Sequence, residues 1–559
     1  MSTPRSGVHA LSDAYVTEYA ALSPNTATYF GIPGYDEQLT DFSPEGNAAR
    51  AELSRRYLSD IAAAEPADDT ERIGQAVFAE RVGLDLEIHE AGLDNSALNV
   101  IASPVQDLRQ IFDLMPTDSE SDWAVIAKRL AALPTAVDQV RQALRRGAAD
   151  GRVSAIRQVS KVAQQCDTWA GVTGSSPFFT GFVAKAEVGD ALRAELDKAA
   201  DGAAAAYAGL AGFLRDELAS QAPQKDAVGA EAYALQSRLY LGAKLDLQEA
   251  YEWGWAEFTR LRTEMEQVAA RIKPGATLSE VAAYLDTQSQ YVVHGQDAYQ
   301  EWMQTLSDEA LTKLRGVHFD IPDPLMALEC KIAPPGGGIG AYYTGPTDDF
   351  SRPGRMWWSV PADREEFSTW RELTTVYHEG VPGHHLQVAT ATYQGQRLNR
   401  FQRQFSWVSG HGEGWALYAE RLMRELGYFE DDGFLMGMLD AQLFRAARVI
   451  VDIGMHLELP IPAGTGFHEG ERFTPELGLE FVVSRTITPE DQVRDEIDRY
   501  LGWPGQAPAY KLGERLWLQA RDEARERQGA SFDLRRFHQQ ALEMGSMGLD
   551  DLRRQLAAL

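Results

Sequence analysis

At 559 residues, 44% of them hydrophobic and 24% charged, the chain has an ordinary soluble globular composition but more length than one hydrophobic core usually fills, so two or more lobes are expected. A formal net charge of -29, from 53 basic and 82 acidic side chains, argues against a nucleic-acid or anionic-membrane partner, because phosphates would be repelled across most of the surface. Two distant cysteines, Cys166 and Cys330, exclude a disulfide framework and a cysteine-rich metal site. With no apolar leader and no run of ~18 apolar residues, the expected setting is cytoplasmic.

From residue 11 to 219, apolar residues recur at three- and four-residue spacing, which predicts successive helices over 51–64, 73–91, 123–146, 156–168 and the Ala-rich 187–219. Ser23, Ser43 and Ser119 sit where a short side-chain oxygen caps a helix start. The polar stretch 221–226, with Pro223, marks the first boundary and divides the chain into a helical lobe, 1–222, and a catalytic lobe, 223–559. Helices continue over 247–272 and 287–313, with a capping-box spacing at Thr277 and Glu280. The texture then changes: 316–361 is rich in Pro and Gly, and short apolar or aromatic runs at 328–332, 339–343 and 356–360 read as a small β-sheet. Helices resume at 363–379, 401–408, 412–426 and 434–457, and again over 506–559. The predicted class is mainly α, with the sheet just before a histidine-bearing helix.

That helix ends in T-T-V-Y-H-E-G-V-P-G-H-H-L-Q, residues 374–387. In an H-E-x-x-H helix, two histidines one turn apart share a zinc ion and the intervening Glu acts on water. Here the position four residues after His378 is Pro382. In an unbroken helix His384 would lie about 9 Å further along and about 240° round, too far to share a metal. Gly380, Pro382 and Gly383 permit a tight excursion that returns His384 to the face of His378. His378 and His384 are therefore the expected ligands and Glu379 the general base, with His385 the rival second histidine. Glu413, in H-G-E-G-W-A-L-Y from His411, supplies the third ligand, flanked by small residues that let its helix approach closely. Two His and one Glu leave a fourth position for water. His411 and Glu420 are candidates to orient the ligands.

These motifs, H-E-x-x-P-G-H and E-G-W-A-L-Y, resemble those of the bacterial domain-of-unknown-function family 885, grouped by sequence with zincin-type metallopeptidases. The supporting runs are A-L-S-P-N-T-A-T-Y-F-G-I at 21, S-R-P-G at 351, R-V-I-V-D-I-G-M-H at 448 and P-G-Q-A-P-A-Y-K-L-G at 504. The resemblance implies a large multi-helix zincin-like fold with a deep central cleft, akin to oligopeptidases and carboxypeptidases. It also implies that peptide lies as an added strand on a sheet edge at 356–360, near Tyr342, Tyr343 and Arg352, with Trp357 and Trp358 as candidate cleft walls.

The expected activity is zinc-dependent hydrolysis of a peptide, water being activated by Zn2+ and deprotonated by Glu379. His456 or Tyr510 is expected to stabilise the oxyanion. Arg448 or Lys511 is placed to bind a substrate carboxylate, or else to pair with Asp452 or Glu514. Two other classes remain open: a hydrolase or lyase of a small amide metabolite, and a catalytically silent metal or peptide binder. Neither nucleic acid nor membrane is an expected partner, and the sequence leaves monomer and homodimer open.

Overall fold

The computed structural model describes residues 7–174, 176–333, 340–361 and 363–558. The chain divides into two compact units. The first comprises Met1–Glu65, Arg81–Ala230 and Arg494–Pro504, the second Pro66–Glu80, Glu231–Val493 and Gly505–Leu559. The polar stretch 221–226 lies just before the passage at Ala230.

The first unit is helical. Ser119 caps the helix Glu120–Ala149 by accepting from the Asp122 N–H, while the Asp122 carboxylate accepts the Ser119 N–H in return. Its apolar stripe, including Leu130 and Val137, packs with Val159 of Ile156–Ala170 and with Leu196 and Tyr207 of Asp190–Phe213 in one core. The Ala-rich stretch is thus a packed helix: Ala199, Ala200 and Ala203 are buried, and their small side chains let the helix Glu120–Ala149 come close.

The second unit holds both sheets. Strand β1 (Val292–His294) pairs antiparallel with β5 (Glu366–Ser368). In the other sheet, β2 (Leu328–Ile332) and β3 (Gly340–Thr344) flank β4 (Gly354–Ser359), β2 parallel and β3 antiparallel to it. Two expectations are corrected here. Residues 366–368 are strand rather than helix, because Phe367 is drawn into the core against Tyr299, ring centroids 4.3 Å apart. Residues 356–358 of the run 356–360 lie in the sheet's central strand, so their backbone is paired on both sides and presents no edge for a peptide. Ile339, expected to open the second strand, lies outside the described residues.

Six helices frame the site: α1 (Leu247–Ile272), α2 (Thr369–Glu379), α3 (His384–Tyr393), α4 (Ser409–Glu425), α5 (Asp432–Leu457) and α6 (Ala509–Gln528). Helix α5 packs on α1 and α2, and α4 packs on α6. The α4–α6 crossing is built from glycine. A Cβ on Gly513 would lie 2.0 Å from the Gly410 carbonyl oxygen, and one on Gly414 would lie 2.5 Å from the Gly513 backbone. The glycine beside Glu413 at 414 therefore admits α6 rather than a metal. The expected helix 401–408 shrinks to one wide turn, Phe401–Phe405. Among the described residues, no helix is long and apolar enough to cross a membrane.

Candidate metal centre

Helix α2 ends at Glu379 and α3 begins at His384, and the four residues between them form the tight excursion. Gly383 is obligatory: a Cβ there would lie 1.9 Å from the His378 carbonyl oxygen, and its N–H donates to Tyr377 at 3.0 Å. Trp415 of α4 secures the turn from outside, its indole N–H donating to the Pro382 carbonyl at 2.9 Å. His378 on the last turn of α2 and His384 on the first turn of α3 then meet ring against ring, centroids 4.8 Å apart and nearly perpendicular.

Glu413 completes the group. Its Oε2 lies 3.3 Å from His378 Nε2 and 3.5 Å from His384 Nε2, and one ligand atom from each of the three residues lies within 4.8 Å of the others. Ligand atoms around a tetrahedral zinc with bonds of about 2.0–2.1 Å are separated by about 3.4 Å. The donor set fits such an ion. The carboxylate is 17% exposed, so the group faces solvent on the Glu413 side. Burial works against a charged His378, yet bonds to Glu413 and Glu420 outweigh it and raise the ring to about 9. Glu413 is held far below the usual carboxylate range, its burial overcome chiefly by the charge of His384 and the His378 bond. The Glu413 and Glu420 carboxylates that favour a proton on His378 would also favour a cation beside it.

A buried chain of side chains stands behind His378. Its Nδ1–H donates to Glu420 Oε1 at 2.7 Å, which leaves the Nε2 lone pair facing the group. Glu420 Oε2 accepts from Thr374 at 2.7 Å and from the Gln442 amide at 3.3 Å. The Gln442 carbonyl oxygen accepts from Lys511 at 2.5 Å, and Lys511 also pairs with Glu514 and, at 3.2 Å, with Glu257. Lys511 is therefore a structural cation pairing with Glu514, one of the two roles open to it, and not a substrate contact.

Glu379 is buried beside the group. Burial raises its carboxyl above the ordinary value, opposed by the charges of His384, His378 and Arg445. Arg445 on α5 donates to the Ala441 carbonyl of its own helix at 3.1 Å, and its buried Nε lacks a hydrogen-bond partner among the described residues. Its charge also holds Glu420 low against burial. Half-buried Asp440, Ala441, Phe444, Arg445 and Arg448 fall on one stripe of α5, the face partly open to solvent.

A family model described as "Bacterial protein of unknown function (DUF885)" matches residues 24–556. The chain belongs to the DUF885 family. Two solved structures share the fold. One, "the putative lipoprotein from Colwellia psychrerythraea", is 24% identical with a TM-score of 0.82, covering 99% of this chain and 98% of its own. The other, "a putative lipoprotein of unknown function from Shewanella oneidensis", is 17% identical with a TM-score of 0.75, covering 98% and 99%. No curated protein matches significantly.

Other expected site residues of this DUF885 chain stand outside the group of three. His385, the rival ligand, is consumed on both sides: Nε2–H donates to the Leu325 carbonyl at 2.8 Å and Nδ1 accepts the Tyr343 hydroxyl at 2.9 Å. Burial lowers its pKa to about 4. Tyr343 thus braces His385 rather than touching substrate. Tyr342 is across the sheet from that layer, stacked on Trp357, while Trp358 is core and donates to Glu372 at 3.2 Å. Arg352 is spent on carbonyls of its own loop, Gly345 at 2.8 Å and Pro353 at 3.3 Å. His411 accepts from Gln387 at 3.0 Å and packs on Trp517, so it touches no ligand directly. His456 is fully buried against Tyr233. Fourteen residues beyond Gln442, it lies about 21 Å further along α5, too far to reach an oxyanion. Tyr510 packs its ring under the Arg448 guanidinium, 5.0 Å away, and Arg448 in turn covers Phe444. Sequence reasoning missed Arg445, Gln442 and Trp415, although the i, i+3, i+4 spacing of Gln442, Arg445 and Ala446 and the tryptophan of E-G-W-A-L-Y were in view.

Proposed function

We propose that this chain is a zinc-dependent hydrolase of zincin type that cleaves peptides. The observation that carries the reading is the meeting of His378, His384 and Glu413, with Glu413 Oε2 3.3 and 3.5 Å from the two imidazole nitrogens and Glu379 buried beside them. His378 Nε2, His384 Nε2 and a Glu413 oxygen would hold the ion. Zinc bound there supplies Lewis-acid polarisation of a carbonyl and makes water a nucleophile near neutral pH.

The chain's own groups do the rest. Glu379 takes the proton of the attacking water and returns it to the leaving amine, a role suited to a carboxylate whose proton affinity burial has raised. Glu420 fixes the tautomer of His378 and the direction of its lone pair. Arg445 brings a fixed positive charge close to the base, and the half-open stripe of α5, with Arg448 and Tyr510, forms the wall along which a peptide lies. A deep zincin-like cleft and a cytoplasmic setting belong to the same proposal. Both thiols are buried and unbridged, as suits a reducing compartment.

Metal analysis of purified protein with single changes tests the reading. His378→Ala, His384→Ala and Glu413→Ala are expected to lose bound zinc, and Glu379→Gln to keep it while hydrolysis of a peptide library falls by about a hundredfold or more. Full zinc retention by any of the three ligand variants, or a metal-free wild type, sinks the proposal.

A further inference from the structure

Trp407 lies between two fully buried residues, Ser406 and Val408, yet is itself 48% exposed. The residues on both sides are bonded to one residue of a distant segment. Ser406 Oγ donates to the Ser546 carbonyl at 3.0 Å, and the Val408 N–H donates to Ser546 Oγ at 3.2 Å. The indole has a seat of its own. It lies over Gly412, where a Cβ would come within 2.2 Å of the ring, so the absence of a side chain next to Glu413 gives the ring its seat. Its centroid is 5.9 Å from the ring of His384.

An exposed hydrophobic residue is by itself unremarkable. This one is different in position: an aromatic surface open to solvent touches the neighbour of one candidate ligand and faces the ring of another. A substrate whose carbonyl reaches the ligands brings its adjacent side chain within stacking range of an indole at that distance. The face offers dispersion and π contact and no formal charge, so it selects apolar and above all aromatic side chains.

We propose that Trp407 is the specificity wall for an apolar, preferentially aromatic, substrate side chain next to the bond that is cleaved. This inference rests on the metallohydrolase reading. The test uses the full-length zinc-loaded Glu379→Gln chain, so that binding is read without turnover. Isothermal titration compares pentaglycine with five derivatives in which one Phe is moved through each position. At least one Phe peptide is expected to bind about tenfold more tightly than pentaglycine. Adding Trp407→Ala is expected to abolish that advantage with zinc content and melting temperature retained, while Trp407→Phe keeps most of it. Absence of any Phe advantage overturns the inference, as does an advantage that survives Trp407→Ala. Either result, in a protein that binds zinc and whose wild type cuts peptides, leaves the hydrolase reading standing. A wild type without zinc or peptide cleavage removes both.

Discussion

Glu420 shows how much of the candidate metal site lies outside the three proposed ligands. It is fully buried, bonded to His378, Thr374 and Gln442, and held ionised against its burial by Arg445 and by the His378 bond. Glu420→Gln keeps the shape but removes the charge that orients and strengthens His378. Zinc affinity, read by competition with a chromogenic chelator, is expected to fall about 10–100-fold, with the melting temperature of the metal-free protein changing far less. An unchanged affinity would mean that His378 needs no such partner. At this scale the sequence was legible where spacing carries chemistry: His378, Glu413 and one of His384 and His385 fall in motifs that bring them together, and the fold chooses His384 by engaging His385 elsewhere. It was silent where a side chain's partner comes from elsewhere in the fold. Nothing near Lys511 in the chain announces Gln442 or Glu257, and Arg352 looks like a substrate arginine until its loop closes on it.

Glycine carries the arrangement of the elements. Gly410, Gly414 and Gly513 bring α4 and α6 into backbone contact, and Glu413 rides on the helix so positioned. Gly513→Ala places a methyl group 2.0 Å from the Gly410 carbonyl oxygen, with no flexible side chain between them to yield. Overpacking of this kind costs about 1–3 kcal/mol. The expected result is a lower midpoint in thermal unfolding together with weakened zinc binding, since the helices cannot separate without moving Glu413. A neutral outcome would show that the crossing tolerates displacement. Helices were largely readable at this scale, because periodicity, the Ser119 cap and the Thr277 capping box are local signals. Strand pairing was not. The three residues of β1 find β5 more than seventy positions later, and β4 became central only because β2 joins it in parallel, a contact that no local pattern encodes.

For the molecule as a whole, charge is the term that composition states most plainly. A net charge of -29 repels itself in the compact state, and added salt screens that repulsion within about 10 Å at 0.1 M. Melting temperature is therefore expected to rise between 10 mM and 300 mM sodium chloride, measured calorimetrically with zinc chelated so that metal binding does not contribute. A flat or falling curve would show that the favourable ion pairs outweigh the excess of acid. A change of composition near 221–226, just before the passage at Ala230, was visible in the sequence. The membership of 66–80 and 494–504 was not, since both look like ordinary helical sequence.

That exchange of segments bears on how the protein is made. Because Arg494–Pro504 belongs to the first unit, that unit stays incomplete until the ribosome has passed residue 504 of 559, even though its other segments all precede residue 231. At bacterial elongation rates of about 5–20 residues per second, its nascent helices wait roughly fifteen seconds or more for the last piece. The first unit therefore cannot close until most of the second, 66–80 and 231–493, has been made.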